Sequence, residues 1–239
     1  MMLALSLLFA LQLLAVSCIL FPNSKTNTKT VGKISPVVVD LLTACSRAQS
    51  PANRRLAVES IEKLSELQKR EPISAGSWRT LWSTVTSDNL IGSALRQKPS
   101  VILGGLSWQV ISKEKDKSEN VVFWPSLGLR MAGLADLRPL AAAGKEGYKL
   151  RISGLEFRWG TKRADPIPEK MGLLRDDQSN GKAWTVLMLA PNVTLSNGVG
   201  ALEVIYNDGV VRCVRDTIQD NIYVHIKEPV PEQLKPFLD

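Results

Sequence analysis

The sequence predicts a mainly β domain, an antiparallel barrel or sandwich, that follows a pair of N-terminal helices. About eight short segments rich in β-branched and aromatic residues follow one another between residues 77 and 227. After residue 72 no long helical pattern alternates with these segments, so a doubly wound α/β fold is not expected. Hydrophobic residues make up 44% and charged residues 22% of the chain, which indicates a globular protein rather than a disordered or fibrous one.

Residues 1–20 form an uninterrupted apolar segment without a charged side chain. A segment of this length is typical of a secretory signal peptide or of a membrane anchor. Small side chains at Ala15 and Ser17 fit the positions that a signal peptidase reads, which favours cleavage near Cys18. The alternative is an uncleaved N-terminal anchor.

Residues 21–35 are rich in Ser, Thr and Asn and contain lysines but no acidic residue. Such a segment cannot bury enough apolar surface to fold, and its composition is typical of a transit peptide. A signal peptide followed directly by a transit-like segment looks like the bipartite presequence of algae with secondary plastids, and so predicts a plastid (chloroplast) location. The alternative is a flexible linker behind a secretory signal. Loss of Lys25, Lys29 and Lys33 would lower the net charge from +7 to +4.

Residues 36–72 are predicted to form a helical hairpin. Pro36 can occupy a first helical turn, and Ser50-Pro51 is typical of a helix start, because Ser caps free amides and Pro pre-sets the backbone. Apolar residues recur at helical spacing in both segments, as Val38, Leu41, Leu42 and Cys45 and then as Ala57, Ile61, Leu64 and Leu67. Pro72 is expected to end the second helix.

Residues 76–228 are predicted to form the β domain, and residues 229–239 a C-terminal tail. The predicted strands are 77–86, 106–112, 120–124, 148–159, 183–189, 200–207, 209–216 and 221–227. Within the fourth strand the apolar alternation changes phase at Gly154, so a bulge is expected there. Asn207-Asp208-Gly209 predicts a hairpin between two strands, because these residue types tolerate a positive φ.

The sequence contains no recognisable catalytic or metal-binding motif. A single histidine excludes two-histidine metal sites, and Cys18, Cys45 and Cys213 form neither a CxxC motif nor a disulfide framework. Nucleophile-elbow, phosphate-loop and HExxH patterns are also missing. The lysines and arginines are spread along the chain, so no nucleic-acid partner is expected. We therefore expect a non-enzymatic protein without a cofactor or a metal.

Two groups of residues on the first and last predicted strands stand out. Gly76 allows a sharp turn into the first strand, and Trp78 can plug one end of a barrel. Antiparallel closure would bring the first and last strands together, so that Arg212 or Arg215 could stack over Trp78. Such a cation–π contact contributes about 1–2 kcal/mol when it is desolvated. A purely structural role, in which these residues only close the barrel end, is the alternative to a role in ligand binding.

Three sequence blocks that include these residues occur in a characteristic order along the chain. They are Ile61, Leu64 and Leu67 up to Glu71-Pro72; then Gly76, Trp78, Leu81, Trp82, Ser83 and Thr84; and finally Asp208, Val211, Arg212, Arg215, Asn221, Ile222, Tyr223 and Val224. Over residues 37–228 this pattern resembles the plastid lipid-associated protein (PAP)/fibrillin family. The chain departs from the family pattern at Ser46-Arg47-Ala48, where the family has Asn-Arg-Gly, and at Asp216, where it has Gly.

The resemblance implies a lipocalin-like (calycin) antiparallel β-barrel preceded by the helical hairpin. It also implies the binding or sequestering of a carotenoid, prenylquinone or fatty acid at thylakoid or plastoglobule surfaces, with a small lipophilic ligand and a lipid surface as partners. Peripheral association with a membrane or a plastoglobule follows from this. The family-motif residues expected at the barrel closure are Gly76, Trp78, Asp208, Arg212, Arg215, Asn221 and Tyr223.

A barrel of about eight strands has an interior just wide enough for side chains or for one small ligand. The candidate lipid-lining residues are the strand aromatics Trp82, Trp108, Phe123, Trp124, Phe157 and Trp159. Two alternatives to a lipid-binding protein follow from the same pattern. The first is a structural coat or interaction protein of lipid globules or membranes with a filled barrel, and the second is a secreted lipocalin.

Overall fold

The structure is a computed structural model, and it describes residues 34–47, 50–84, 106–124, 127–140, 146–159, 184–189 and 199–238. The chain divides into two units, Met1–Ile34 and Ser35–Asp239, and every helix and strand given below belongs to the second. The predicted signal segment 1–20 and nearly all of the transit-like segment 21–35 lie outside the described residues.

Two helices precede the strands, α1 at Pro36–Ser46 and α2 at Pro51–Glu66. The predicted start of α2 is confirmed, because the hydroxyl of Ser50 accepts a hydrogen bond from the amide of Asn53 at 3.1 Å. The end of α2 was predicted at Pro72 but lies at Glu66, and Gln68 then adopts a φ of 50° that stops the helix. Leu67 is consequently 54% exposed, whereas the predicted apolar residues of both helices before it are buried.

The described part of the chain contains nine strands. They are β1 Gly76–Ser83, β2 Leu106–Ile111, β3 Lys117–Trp124, β4 Leu129–Pro139, β5 Gly147–Trp159, β6 Trp184–Leu189, β7 Val199–Asn207, β8 Val211–Asp216 and β9 Ile222–Lys227. A 3₁₀ helix at Glu232–Phe237 follows them, within the segment predicted as a tail, and its Leu234 is buried.

Eight of these strands form a closed antiparallel barrel, which confirms the predicted fold class at this level. The strand order runs β4-β3-β2-β1-β9-β8-β7-β5, and β4 pairs with β5 to close the ring. The predicted contact between the first and last strands is present, with Trp78 opposite Lys227 and Thr80 opposite His225. Because the ring is closed, the first and last strands have no free edge facing each other.

Strand β5 bends where its sequence changes phase. Its first half, up to Arg151, pairs with β7, and its second half, from Gly154 onward, pairs with β6. Opposite β4, the register passes from Ile152 to Gly154, so that Ser153 is an extra residue in the bulge predicted here. The bulge therefore lies where β5 changes its partner and where β6 is added outside the eight-strand ring.

Strand β4 was missed by the sequence analysis. Its central residues include Ala132, Gly133 and Ala135, which have low β propensity and give no aromatic or β-branched signal. The strand forms nevertheless because it pairs with β3 along eight residue pairs and with β5 on its other side. Tertiary pairing thus outweighs local preference in this segment.

A membrane-spanning helix is not found in the part of the chain that the structure describes, since neither α1 nor α2 has the length and apolar character to cross a bilayer.

Candidate functional site

The barrel has an inner face and an outer face that can be told apart by their contacts. Trp78 of β1 packs with Ile111 of β2, Leu137 of β4 and Tyr148 of β5, and strands β1 and β5 are not neighbours in the ring. Such contacts are possible only across the interior. Since side chains alternate along a strand, the residues next to these point outward. Exposed charged residues of the outer face include Arg138, Lys149, Arg151 and Arg215.

An aromatic and a cation meet on the inner face near one end of the barrel. The guanidinium carbon of Arg212 lies 4.4 Å from the centre of the Trp78 ring, and both residues are 0% exposed. The ammonium of Lys227 lies 5.6 Å from the same ring centre. The face of an indole ring attracts a cation, but the ring carries no net charge and so does not neutralise the cation. The stacking expected for Arg212 is therefore present.

Gln109 is the centre of the hydrogen-bond network on the inner face. Its side-chain oxygen accepts a hydrogen bond from Nη2 of Arg212 at 2.7 Å and another from the hydroxyl of Tyr148 at 2.8 Å. Its amide nitrogen donates to Oδ1 of Asn120 at 3.2 Å. Gln109 therefore uses both acceptor positions of its oxygen, and it brings no negative charge to the cation.

Arg212 is not neutralised by any carboxylate among the described residues. Its Nε and Nη1 atoms are buried without a hydrogen-bond partner, and the described ion pairs do not include it. Burial lowers the pKa of Arg212, and interactions with Tyr148 and Cys213 oppose this shift. The pKa of Lys227 is also lowered, first by burial and then by Arg212. The inner face thus holds positive charge that costs several kcal/mol to desolvate unless an anion compensates it.

An apolar cluster lies further along the same face. Trp124 and Val122 of β3 pack with Leu129 of β4, and Met131 covers this cluster. These residues share the face of Gln109, because Ser107, two residues from Gln109, is paired with Val122. The indole Nε1 of Trp124 is buried without a hydrogen-bond partner in the described structure.

The interior is not completely filled at the described residues. Asn120 is exposed although it lies on the inner face opposite Gln109, and Met131, Leu150 and Leu202 on that face are only partly buried. Asn120 is paired with Gly133, which has no side chain to cover it. Solvent therefore reaches the inner face between the cationic group and the apolar cluster.

The predicted lipid-lining residues lie on different faces. Trp124 is on the inner face with the apolar cluster just described. Trp108 and Phe123 are buried in an outer-face cluster with Val121, and the Nε1 of Trp108 donates to Glu228 at 2.9 Å.

Trp82 is the next predicted lining residue along β1. It pairs with Val224, which also faces Cys213, so Trp82 lies on the outer side of the barrel. For Phe157 and Trp159 only the backbone register is described, opposite Met131 and Leu129; their side chains lie outside the described residues.

The family-motif residues have separate local roles. Gly76 has a φ of 117°, which a residue with a side chain rarely adopts, at the entry to β1. Asp208 caps the β7–β8 hairpin, where its Oδ1 accepts from the amides of Val210 and Val211.

The remaining motif residues lie on β8 and β9 or in the turn between them. Arg215 is an outward residue that forms an ion pair with Asp220 at 3.4 Å, and it does not share the position of Arg212. Asn221 donates to the side chain of Gln219 at 3.1 Å in this turn. The ring of Tyr223 stacks with that of His225 at 6.3 Å.

Two residues of the inner network, Gln109 and Tyr148, and the buried Asn207 at the end of β7 were not identified as site residues from the sequence. Gln109, Tyr148 and Asn207 each interrupt or border an apolar strand, and all are buried. The sequence feature that could have identified Gln109 was a polar residue at an inward-facing position of an otherwise apolar strand. The bond between Gln109 and Tyr148 joins residues 39 positions apart and could not be read from either strand alone.

Metal or thiol chemistry finds no support at the described positions. Within them no three His, Cys, Asp or Glu residues come together as a metal site would require. Cys45 and Cys213 are free and buried, and burial raises the pKa of both thiols, which keeps them protonated and unreactive.

Comparisons of the chain with protein-family models, with curated proteins and with solved structures find no match.

His225 gives the inner face a testable pH dependence. It is 6% exposed, its Nδ1 lies 3.3 Å from the hydroxyl of Thr80, and burial and then Arg212 hold its pKa well below the ordinary value. As pH falls through about 6.5, the unfolded chain takes up the proton before the folded one, so the free energy of unfolding should fall by up to ~1.4 kcal/mol per pH unit. Urea unfolding at stepped pH should show this slope between about pH 6.5 and 5.

The matched variant is His225→Gln, which removes the only histidine of the chain. Its unfolding free energy should change less over the same pH interval than that of the wild type. Parallel pH profiles for the two proteins would show that His225 is not held neutral in the fold.

Proposed function

We propose that this chain is a non-enzymatic lipid-associated protein whose barrel binds one small lipophilic molecule. The observation that carries the proposal is the partly open inner face, where apolar side chains remain accessible inside a closed barrel. Apolar surface removed from water contributes about 25 cal/mol per Å², so a lipophile that covers an accessible apolar side chain such as Met131 gains affinity from burial alone. Pockets for small ligands are typically apolar with a few well-placed polar groups, which matches this face.

The finer assignment extends this proposal to a family and a compartment. A closed eight-strand barrel behind two helices is compatible with the lipocalin-like fold of PAP/fibrillin proteins, and the Trp78–Arg212 contact joins two of the sequence blocks that resemble that family. The composition of residues 1–35 supports delivery to a plastid through a bipartite presequence. On this proposal the ligand is a carotenoid, prenylquinone or fatty acid, and the protein acts at thylakoid or plastoglobule surfaces.

Calorimetric titration of the purified chain with a short-chain prenylquinone tests the binding proposal. We expect saturable binding by the wild type and at least tenfold weaker binding by Met131→Trp, because the larger side chain occupies accessible space on the inner face. The matched control is Leu127→Trp, which adds the same side chain at a position that is 43% exposed just before β4.

Two outcomes would contradict the proposal. Equal affinity in both variants would place the ligand outside the barrel. Absence of binding to the wild type by every lipophile tried, together with flotation of the chain on lipid droplets, would favour a structural coat protein instead.

A further inference from the structure

We propose that Arg212 is the head-group subsite of the barrel, and that the preferred ligand is therefore an anionic amphiphile, which binds more tightly than a neutral lipid. This inference rests on the proposed lipid binding and adds the chemical class of the ligand. The proposal rests on the guanidinium of Arg212. This residue is 0% exposed, it donates one hydrogen bond to a neutral amide, and its Nε and Nη1 atoms have no hydrogen-bond partner.

The first argument is electrostatic. A buried guanidinium normally has a carboxylate or several acceptors around it, because leaving its donors unsatisfied costs more than the contact with an aromatic ring returns. No described acid forms an ion pair with Arg212, and Lys227 adds a second cation near the same indole. An anionic oxygen at this point would satisfy the free donors and reduce the repulsion between the two cations.

The second argument is access. Arg212 donates to Gln109, and Gln109 in turn donates to Asn120, which is exposed on the inner face. The Gln109 amide is therefore the link between the buried cation and the space that solvent reaches. Rotation of this one side chain would open the guanidinium to a head group, and the hydroxyl of Tyr148, now bonded to Gln109 at 2.8 Å, would become a further donor to it.

The third argument is the direction of the ligand. Asn120 lies at the level of Gln109, and Trp124 lies four residues further along β3. At about 3.3 Å per residue this distance is roughly 13 Å along the strand. An extended alkyl chain with its head at Arg212 would consequently reach the cluster of Val122, Trp124 and Leu129. The inner face thus offers a cationic end and an apolar end to a single amphiphile.

The test compares ligands that share a tail and differ in the head group. Tetradecanoic acid, tetradecyl phosphate, methyl tetradecanoate and tetradecanol are titrated into the wild-type chain by calorimetry. We expect at least one of the two anions to bind tenfold or more tightly than both neutral ligands, and the stronger anion identifies the head group as carboxylate or phosphate.

Variants locate the preference at the proposed residue. Arg212→Met should lower the affinity for the preferred anion to that for the ester while leaving the ester affinity unchanged. The control Arg215→Met removes an outward arginine of the same strand and should retain the anion preference. If Arg212→Met does not fold, Tyr148→Phe takes its place and should lower the affinity for the anion but not for the ester.

The outcomes separate this inference from the proposed function. If acid, phosphate, ester and alcohol bind with equal affinity, lipid binding stands and the head-group subsite is wrong. If the anion preference is as large as in the wild type in Arg212→Met or, where that variant is unfolded, in Tyr148→Phe, the subsite is also wrong. If none of the ligands binds and prenylquinone does not bind either, the proposed function itself fails.

Discussion

Trp78→Ala should lower the free energy of unfolding by about 3–5 kcal/mol, the range for removal of a large aromatic side chain from a core. Trp78 is 0% exposed and packs with Ile111 and Tyr148. The truncation therefore leaves a cavity lined by apolar side chains, which water does not fill favourably. The truncation also removes the ring over which Arg212 lies, and the cation then loses a contact while it stays buried. Urea unfolding followed by circular dichroism measures the loss.

Two further variants serve as controls for the Trp78→Ala measurement. Trp78→Phe keeps an aromatic ring under Arg212 and should recover part of the stability lost in Trp78→Ala. Leu67→Ala truncates an apolar side chain that is 54% exposed and should change the unfolding free energy by less than about 0.5 kcal/mol. A loss below about 1 kcal/mol in Trp78→Ala would contradict the central position of this residue in the barrel core.

Apart from β4, the barrel could be predicted because its strands follow local rules. The Asn207-Asp208-Gly209 turn has the composition of a hairpin, and Gly209 does adopt a φ of 86°. The phase change at Gly154 marked a real bulge, which the register of β4 with β5 shows. Closure could be inferred because an antiparallel meander of this length leaves its first and last strands as the free edges.

Which face each aromatic occupies could not be predicted. Regular alternation would place Trp78, Thr80 and Trp82 on one face of β1. A register irregularity between Thr80 and Trp82 adds one residue, so Trp82 pairs with Val224 and lies on the outer side. Nothing in the sequence of β1 marks that irregularity, since it contains no glycine or proline at this point.

The polar contacts of the site could also not be predicted from the sequence of any single strand. Arg212 was identified as a partner of Trp78, but its hydrogen bond to Gln109 joins residues 103 positions apart on strands that are not neighbours in the ring. Such contacts depend on strand tilt and stagger, which the barrel as a whole determines. A buried cation without a counter-ion is a property of that assembled interior and appears in no single segment.

Asn207→Asp should destabilise the fold by several kcal/mol at neutral pH, because a carboxylate would replace an amide that donates to a backbone carbonyl. Asn207 is 0% exposed, and its Nδ2 donates to the carbonyl oxygen of Glu71 at 2.6 Å. Its backbone carbonyl accepts from the amide of Glu71 at 2.9 Å, and its Oδ1 accepts from the amide of Gly209 at 3.1 Å. This one side chain thus joins the segment after α2 to the β7–β8 hairpin.

The pH dependence distinguishes charge from shape at this position. A buried aspartate facing a carbonyl should have a pKa raised above its unfolded value of about 3.9, so the penalty is smallest below that pH and grows until the folded pKa is passed. Asn207→Ala also loses the hydrogen bonds but should show no extra pH dependence relative to the wild type. The control Asn221→Asp makes the same change in a turn where the side chain of Asn221 bonds only to the exposed side chain of Gln219 among its described contacts, and should cost less than about 1 kcal/mol. Urea unfolding at about pH 4 and pH 7 decides the matter, because equal losses in Asn207→Asp at both values would mean that the cost comes from the lost hydrogen bonds and not from a buried charge.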